Sequence, residues 1–122
     1  MKKIYYNKVI RDNIPQRIAA AGADYHVRTL PKKIFERELI KKVEEEASAL
    51  PKAKDTAELV SELADVMEVI AEIQKLKKIR STDITRARKV NMKKKGGFRK
   101  RLYLSWAEDN GYRTNEKRNV KK

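Results

Sequence analysis

Apolar residues recur with a helical period in two long stretches of the chain. From Ala57 to about Ile79, Leu59, Leu63, Val66, Met67, Ile70 and Ile73 follow the three-and-four spacing of a core-facing stripe, and Thr56 stands where an N-cap is expected. The segment from Lys32 or Lys33 to Leu50 carries Phe35, Leu39, Val43, Ala47 and Leu50 on one side and is ended by Pro51. A short helix is predicted to open near Ile14 and Pro15, with Asp12-Asn13 as caps, and to close before Gly22. A fourth is predicted from Thr82 or Asp83 to Lys95, started by Ser81-Thr82-Asp83 and stopped by Gly96-Gly97. Tyr25, Val27 and Thr29 alternate with polar residues and read as a short extended segment before Pro31.

The pattern is therefore all-α. The five residues from Pro51 to Asp55 are a short connection, which makes the two long helices antiparallel neighbours in a helical bundle. A chain of 122 residues supports one core, assigned to residues 1–106. The polar segment 107–122 has no apolar periodicity and is expected to be a disordered basic tail. Two long and two short helices make a thin bundle, so some apolar surface is expected to be covered by further copies in a homo-oligomer.

Acidic residues interrupt the apolar faces at three places. On a helix turning about 100° per residue, Val69 and Ile73 lie roughly 20° to either side of Glu62, and Asp65 lies about 60° away. Glu46 falls between the directions of Phe35 and Leu39, so it too points inward, unlike its neighbour Glu44. Two carboxylates brought together at the edge of an apolar face repel each other unless a cation joins them. Oxygen ligands from two adjacent helices suit magnesium, with manganese as the alternative. Glu58, Glu68 and Glu72 read instead as a solvated face paired with lysines.

The run Val43-Glu44-Glu45-Glu46 followed by Glu62-Leu63-Ala64-Asp65-Val66-Met67-Glu68-Val69-Ile70 resembles the paired acidic motifs of the MazG-like all-α nucleoside triphosphate pyrophosphohydrolases. Within them the chain is most similar to the group described as phosphoribosyl-ATP pyrophosphohydrolase-like, or predicted house-cleaning pyrophosphatases. Tyr6-Asn7-Lys8-Val9-Ile10-Arg11-Asp12-Asn13-Ile14-Pro15, and Gly96-Gly97-Phe98 with Arg101-Leu102-Tyr103-Leu104, carry the narrower likeness. The resemblance implies cleavage of a nucleoside triphosphate between its α and β phosphates, with magnesium held by Glu46, Glu62 and Asp65. It implies Glu45 as the group that orients or deprotonates the attacking water, and a dimeric or higher assembly. A fourth carboxylate of the family pattern is missing: three residues after Glu46 stands Ala49.

Flanking cations extend this reading to the phosphates. Lys8 and Arg11 precede the predicted caps Asp12-Asn13, a setting that suits an anion, and Lys95 occupies the place where the resembling group carries a basic residue before its two glycines. Phe98 is expected to fill the core and His26 to lie on the surface. No second histidine or cysteine is present to make a zinc site with His26, and no phosphate loop or serine nucleophile motif occurs.

Net charge changes the picture of partners. It is +14, and the excess collects after residue 75, in Lys93 to Arg101 and Arg113 to Lys122. Such a tail is expected to make non-specific, salt-sensitive contact with nucleic acid. A second reading follows, in which the chain is a catalytically weakened relative acting as a basic nucleic-acid-binding or regulatory protein. The absence of cysteine and of any membrane-length apolar run makes the cytoplasm the expected location.

Overall fold

A computed structural model describes residues 2–109. Its regular structure is helical throughout: α1 (Ile14–Ala20), α2 (Lys32–Ala47), a 3-10 turn (Leu50–Lys52), α3 (Thr56–Lys77) and α4 (Ser81–Lys95). There is no strand among the described residues, so the segment around Tyr25 to Thr29 runs as irregular chain. No described helix is long and apolar enough to cross a membrane. The predicted tail lies almost wholly in 110–122, outside the described residues.

Local chemistry moves several predicted boundaries. Asp55, not Thr56, caps α3: its carboxylate accepts a hydrogen bond from the Glu58 N–H at 2.8 Å. Aspartate is the stronger cap, and its charge complements the positive end of the helix dipole. Helix α2 stops at Ala47 instead of reaching Leu50. In a continued helix the Pro51 ring would meet the carbonyl of Ala47, four residues back, and proline could not donate to it. The chain tightens instead, with the Ala49 N–H donating to Glu46 O at 3.2 Å. In α1 neither Asp12 nor Asn13 caps through its side chain; the Ile14 N–H donates to Arg11 O at 3.1 Å.

The chain falls into two compact units divided after Ala87. In the first, α2 packs on α3 in antiparallel order. Lys77 near the end of α3 pairs with Glu36 near the start of α2, while Glu46 at the other end of α2 lies beside Glu62 and Asp65. Among the described residues only Leu39 and Lys42, both on α2, are buried. Phe35, Val43, Ala47 and Leu50 are half-buried around them, as their spacing predicts.

The face that α3 turns inward is not the predicted stripe. Glu58, Glu62, Asp65, Val66, Val69, Glu72, Ile73 and Leu76 are half-buried, whereas Leu59, Leu63, Met67 and Ile70 are exposed, Met67 by 68%. Projected at about 100° per residue, these sets occupy adjacent arcs of the same helix. Helix α2 covers the first arc and leaves the second open. Glu58 and Glu72 thus belong to the half-buried side, and only Glu68 keeps the fully solvated position expected of it.

In the second unit, the end of α4 carries Lys93, Lys94 and Lys95 in its last turn. Gly96 follows with φ +80°, a left-handed conformation that glycine adopts without the clash of a side chain. Phe98 is 96% exposed, against the expectation that it fills the core. With Leu102, Tyr103, Leu104 and Trp106 it forms an exposed apolar run among Arg99, Lys100 and Arg101.

Candidate carboxylate site

Three carboxylates converge where α2 ends and α3 begins. Glu46, Glu62 and Asp65 each place an oxygen within 4.8 Å of the others, and all three are half-buried. The antiparallel pairing produces this. Glu46 sits in the last turn of α2, Glu62 and Asp65 sit in the second and third turns of α3, and the short connection between the helices folds one against the other.

Cations surround the cluster, all of them side chains. The Lys8 ammonium donates to Glu45 Oε1 at 2.6 Å, and Arg11 Nη1 donates to Asp65 Oδ1 at 3.2 Å. Both come from the irregular segment before α1 and reach across the chain to α2 and α3. Lys8 also lies 5.6 Å from the centre of the Tyr6 ring, a cation–π distance. Lys42 Nζ stands 3.0 Å from Glu45 Oε2 and 3.3 Å from Glu46 Oε1. A cleft of about 220 Å³ beside this network is lined by Asn7, Lys8, Lys42 and Glu45 among others.

The network sets the protonation of its members. The hydrogen bond to Glu45 raises the Lys8 ammonium above the usual lysine value, against the opposing effect of burial. Burial pushes the Glu45 carboxyl up, but the ammonium groups of Lys8 and Lys42 outweigh it and hold the group below the usual glutamate range. Glu45 therefore has a cation at each oxygen and stands just outside the three-carboxylate cluster.

The sequence-predicted residues divide accordingly. Glu46, Glu62 and Asp65 are brought together; Glu45, Lys8 and Arg11 border them; Lys95 lies in the last turn of α4, in the second unit. Ala49 lies between α2 and the 3-10 turn, at the N-cap of the latter, and retains right-handed helical dihedrals, φ −79° and ψ −20°. Sequence reasoning missed Lys42. The signal was present: Lys42 follows Leu39 by three and precedes Glu45 and Glu46 by three and four, so it shares the side of α2 that carries the core.

Oxygen chemistry and spacing fit a small hard cation. In an octahedral magnesium site at about 2.1 Å, opposite ligands stand roughly 4.2 Å apart and adjacent ones roughly 3.0 Å, so three oxygens within 4.8 Å of one another close by at most about 2 Å to share an ion. Comparison of the chain with known protein families, curated proteins and solved structures gives no match to any of the three.

Proposed function

We propose that the protein is a metal-dependent nucleoside triphosphate pyrophosphohydrolase of the MazG-like all-α type. The observation that carries the reading is the convergence of Glu46, Glu62 and Asp65 from two antiparallel helices. Like charges at such spacing repel, by several kcal/mol as an upper bound at an effective dielectric near 20. A half-buried acidic trio is thus a feature that a structural role alone does not favour. When bound, magnesium or manganese supplies neutralisation for the polyphosphate and activates a water for attack.

The chain's own residues divide the remaining work. Glu46, Glu62 and Asp65 hold the cation. Glu45, restrained by Lys8 and Lys42 and a poor base because of them, orients the attacking water rather than removing its proton. Lys8 and Arg11 stand beside the carboxylates and serve the phosphates. The products are a nucleoside monophosphate and pyrophosphate. The open arc of Leu59, Val60, Leu63, Met67 and Ile70 supports assembly with further copies, which add the walls that a single first unit lacks.

A second reading has its own observation. From Ile84 to Ala107 there is no acidic residue, nine are basic, and Phe98, Tyr103 and Trp106 are exposed among them. Cations interleaved with aromatic faces suit a single-stranded nucleic acid. One experiment separates the readings: nucleotide turnover and oligonucleotide binding are measured with magnesium and with a chelator. The enzyme reading expects pyrophosphate release only with metal and loss of it in Glu62→Gln. Absence of release from every triphosphate, with oligonucleotide binding undisturbed by the chelator, favours the binding protein.

A further inference from the structure

Lys42 is one of two buried residues among those described, and the other, Leu39, lies one turn earlier on the same side of α2. Lysine is rarely buried without partners, because its flexible stem ordinarily carries the ammonium out to water. Here the side chain is only 9% exposed, and its ammonium remains between Glu45 Oε2 at 3.0 Å and Glu46 Oε1 at 3.3 Å. Glu46 is in turn one of the three clustered carboxylates.

We propose that Lys42 is the positioning residue of this site, fixing the Glu46 carboxylate toward Glu62 and Asp65 and holding Glu45 beside them. The inference rests on the cation-binding reading given above. Two effects oppose each other. An ammonium 3.3 Å from a ligand oxygen repels an incoming divalent cation, yet it also holds that oxygen in place and offsets repulsion among four acidic groups. Geometry favours the second effect. The stem of Lys42 is enclosed along its length, the charge bridges two carboxylates on successive residues, and Lys8 and Arg11 reach only Glu45 and Asp65. Groups that orient a metal ligand in this way typically contribute about ten- to a hundredfold in metal affinity.

The test is titration of the full chain with Mn2+, followed by electron paramagnetic resonance, in wild type, Lys42→Met, Lys42→Arg and Glu62→Gln. Methionine keeps the unbranched stem and removes the charge; arginine restores the charge. The expected result is Mn2+ binding weakened at least about tenfold in Lys42→Met and recovered to within a few-fold in Lys42→Arg, at unchanged helical content. Should Lys42→Met lose its helical signal, Lys42→Gln supplies the neutral variant. Binding as tight as wild type or tighter in the neutral variant, with Glu62→Gln defective, overturns the role of Lys42 and leaves the cation site standing. Equal weakening in Lys42→Met and Lys42→Arg also overturns it, since restored charge has then restored nothing. A wild-type protein that binds no Mn2+ removes both the site and the inference.

Discussion

The two arcs of α3 have opposite chemistry and opposite environments. The arc facing α2 carries Glu58, Glu62, Asp65 and Glu72 between Val66, Val69, Ile73 and Leu76, while the arc beside it, nearly all apolar, faces outward. Hydrophobic burial alone would turn the helix the other way, since each large apolar side chain covered contributes about 1.5–3 kcal/mol. What stands against that rotation is a set of specific charge pairs. Lys77 on α3 meets Glu36 on α2, and Arg11 from the segment before α1 meets Asp65 on α3. The difference teaches that a single copy covers the acidic arc and leaves the apolar arc for another surface.

The largest effect is expected on the inward arc. Glu62→Gln keeps the shape and removes a ligand charge, so metal-dependent pyrophosphate release is expected to fall by more than about a hundredfold. The same change relieves repulsion in the metal-free protein and is expected to raise stability by on the order of 1 kcal/mol. Calorimetry with and without magnesium checks both signs. Turnover unchanged in this variant would sink the assigned site.

Next is the outward arc. Leu63→Asp is expected to weaken self-association: two copies of Leu63 in a twofold contact account for about 3 kcal/mol, roughly a hundredfold in dissociation constant. Sedimentation of wild type and variant measures it, and identical profiles would show that this arc covers nothing in solution.

Smaller is the gain expected from restoring a fourth carboxylate. The Ala49 N–H bonds to Glu46 O three residues back, a tightened turn in which positions three apart align along the axis, so Ala49→Glu places an acid next to Glu46. Magnesium affinity is expected to rise roughly tenfold, because affinity follows the charge count of the ligands, while the metal-free fold loses stability. Isothermal titration of the variant decides whether Ala49 limits the site.

The smallest effect concerns Lys8. Its ammonium is raised in the folded state, so its contribution is complete below the unfolded lysine value of 10.5 and is lost as pH rises through the higher folded value. The stability difference between wild type and Lys8→Met is therefore expected to be steady near neutrality and to shrink in strong alkali. The pair is well exposed to solvent, which keeps the difference below about 1 kcal/mol. Denaturant melts at neutral and alkaline pH measure the change.

Much of the fold was legible because helix formation is local. The spacing of Phe35, Leu39 and Val43, the glycines after Lys95 and the short connection after Pro51 act within a few turns, and each leaves its mark in the residue order. The carboxylate cluster was legible for a related reason: Glu46, Glu62 and Asp65 are placed by two such periods and one short link. The cap at Asp55 and the early end of α2 were missed through competition between neighbouring candidates, where a single hydrogen bond or one proline ring decides. Phe98 was assigned to a core by its apolarity, yet apolarity states only what burial is worth and not whether any surface is available to provide it.

By itself the sequence determined that this chain is helical, where its long helices run, and that acidic residues interrupt their apolar faces. Only the tertiary structure decided which arc of α3 meets α2, that Lys42 is enclosed, and that Lys8 and Arg11 reach the carboxylates from a distant segment. The physical reason is that periodicity fixes angles around one helix axis, whereas the rotation of a helix against its neighbour is set by the sum of contacts between residues far apart in the chain.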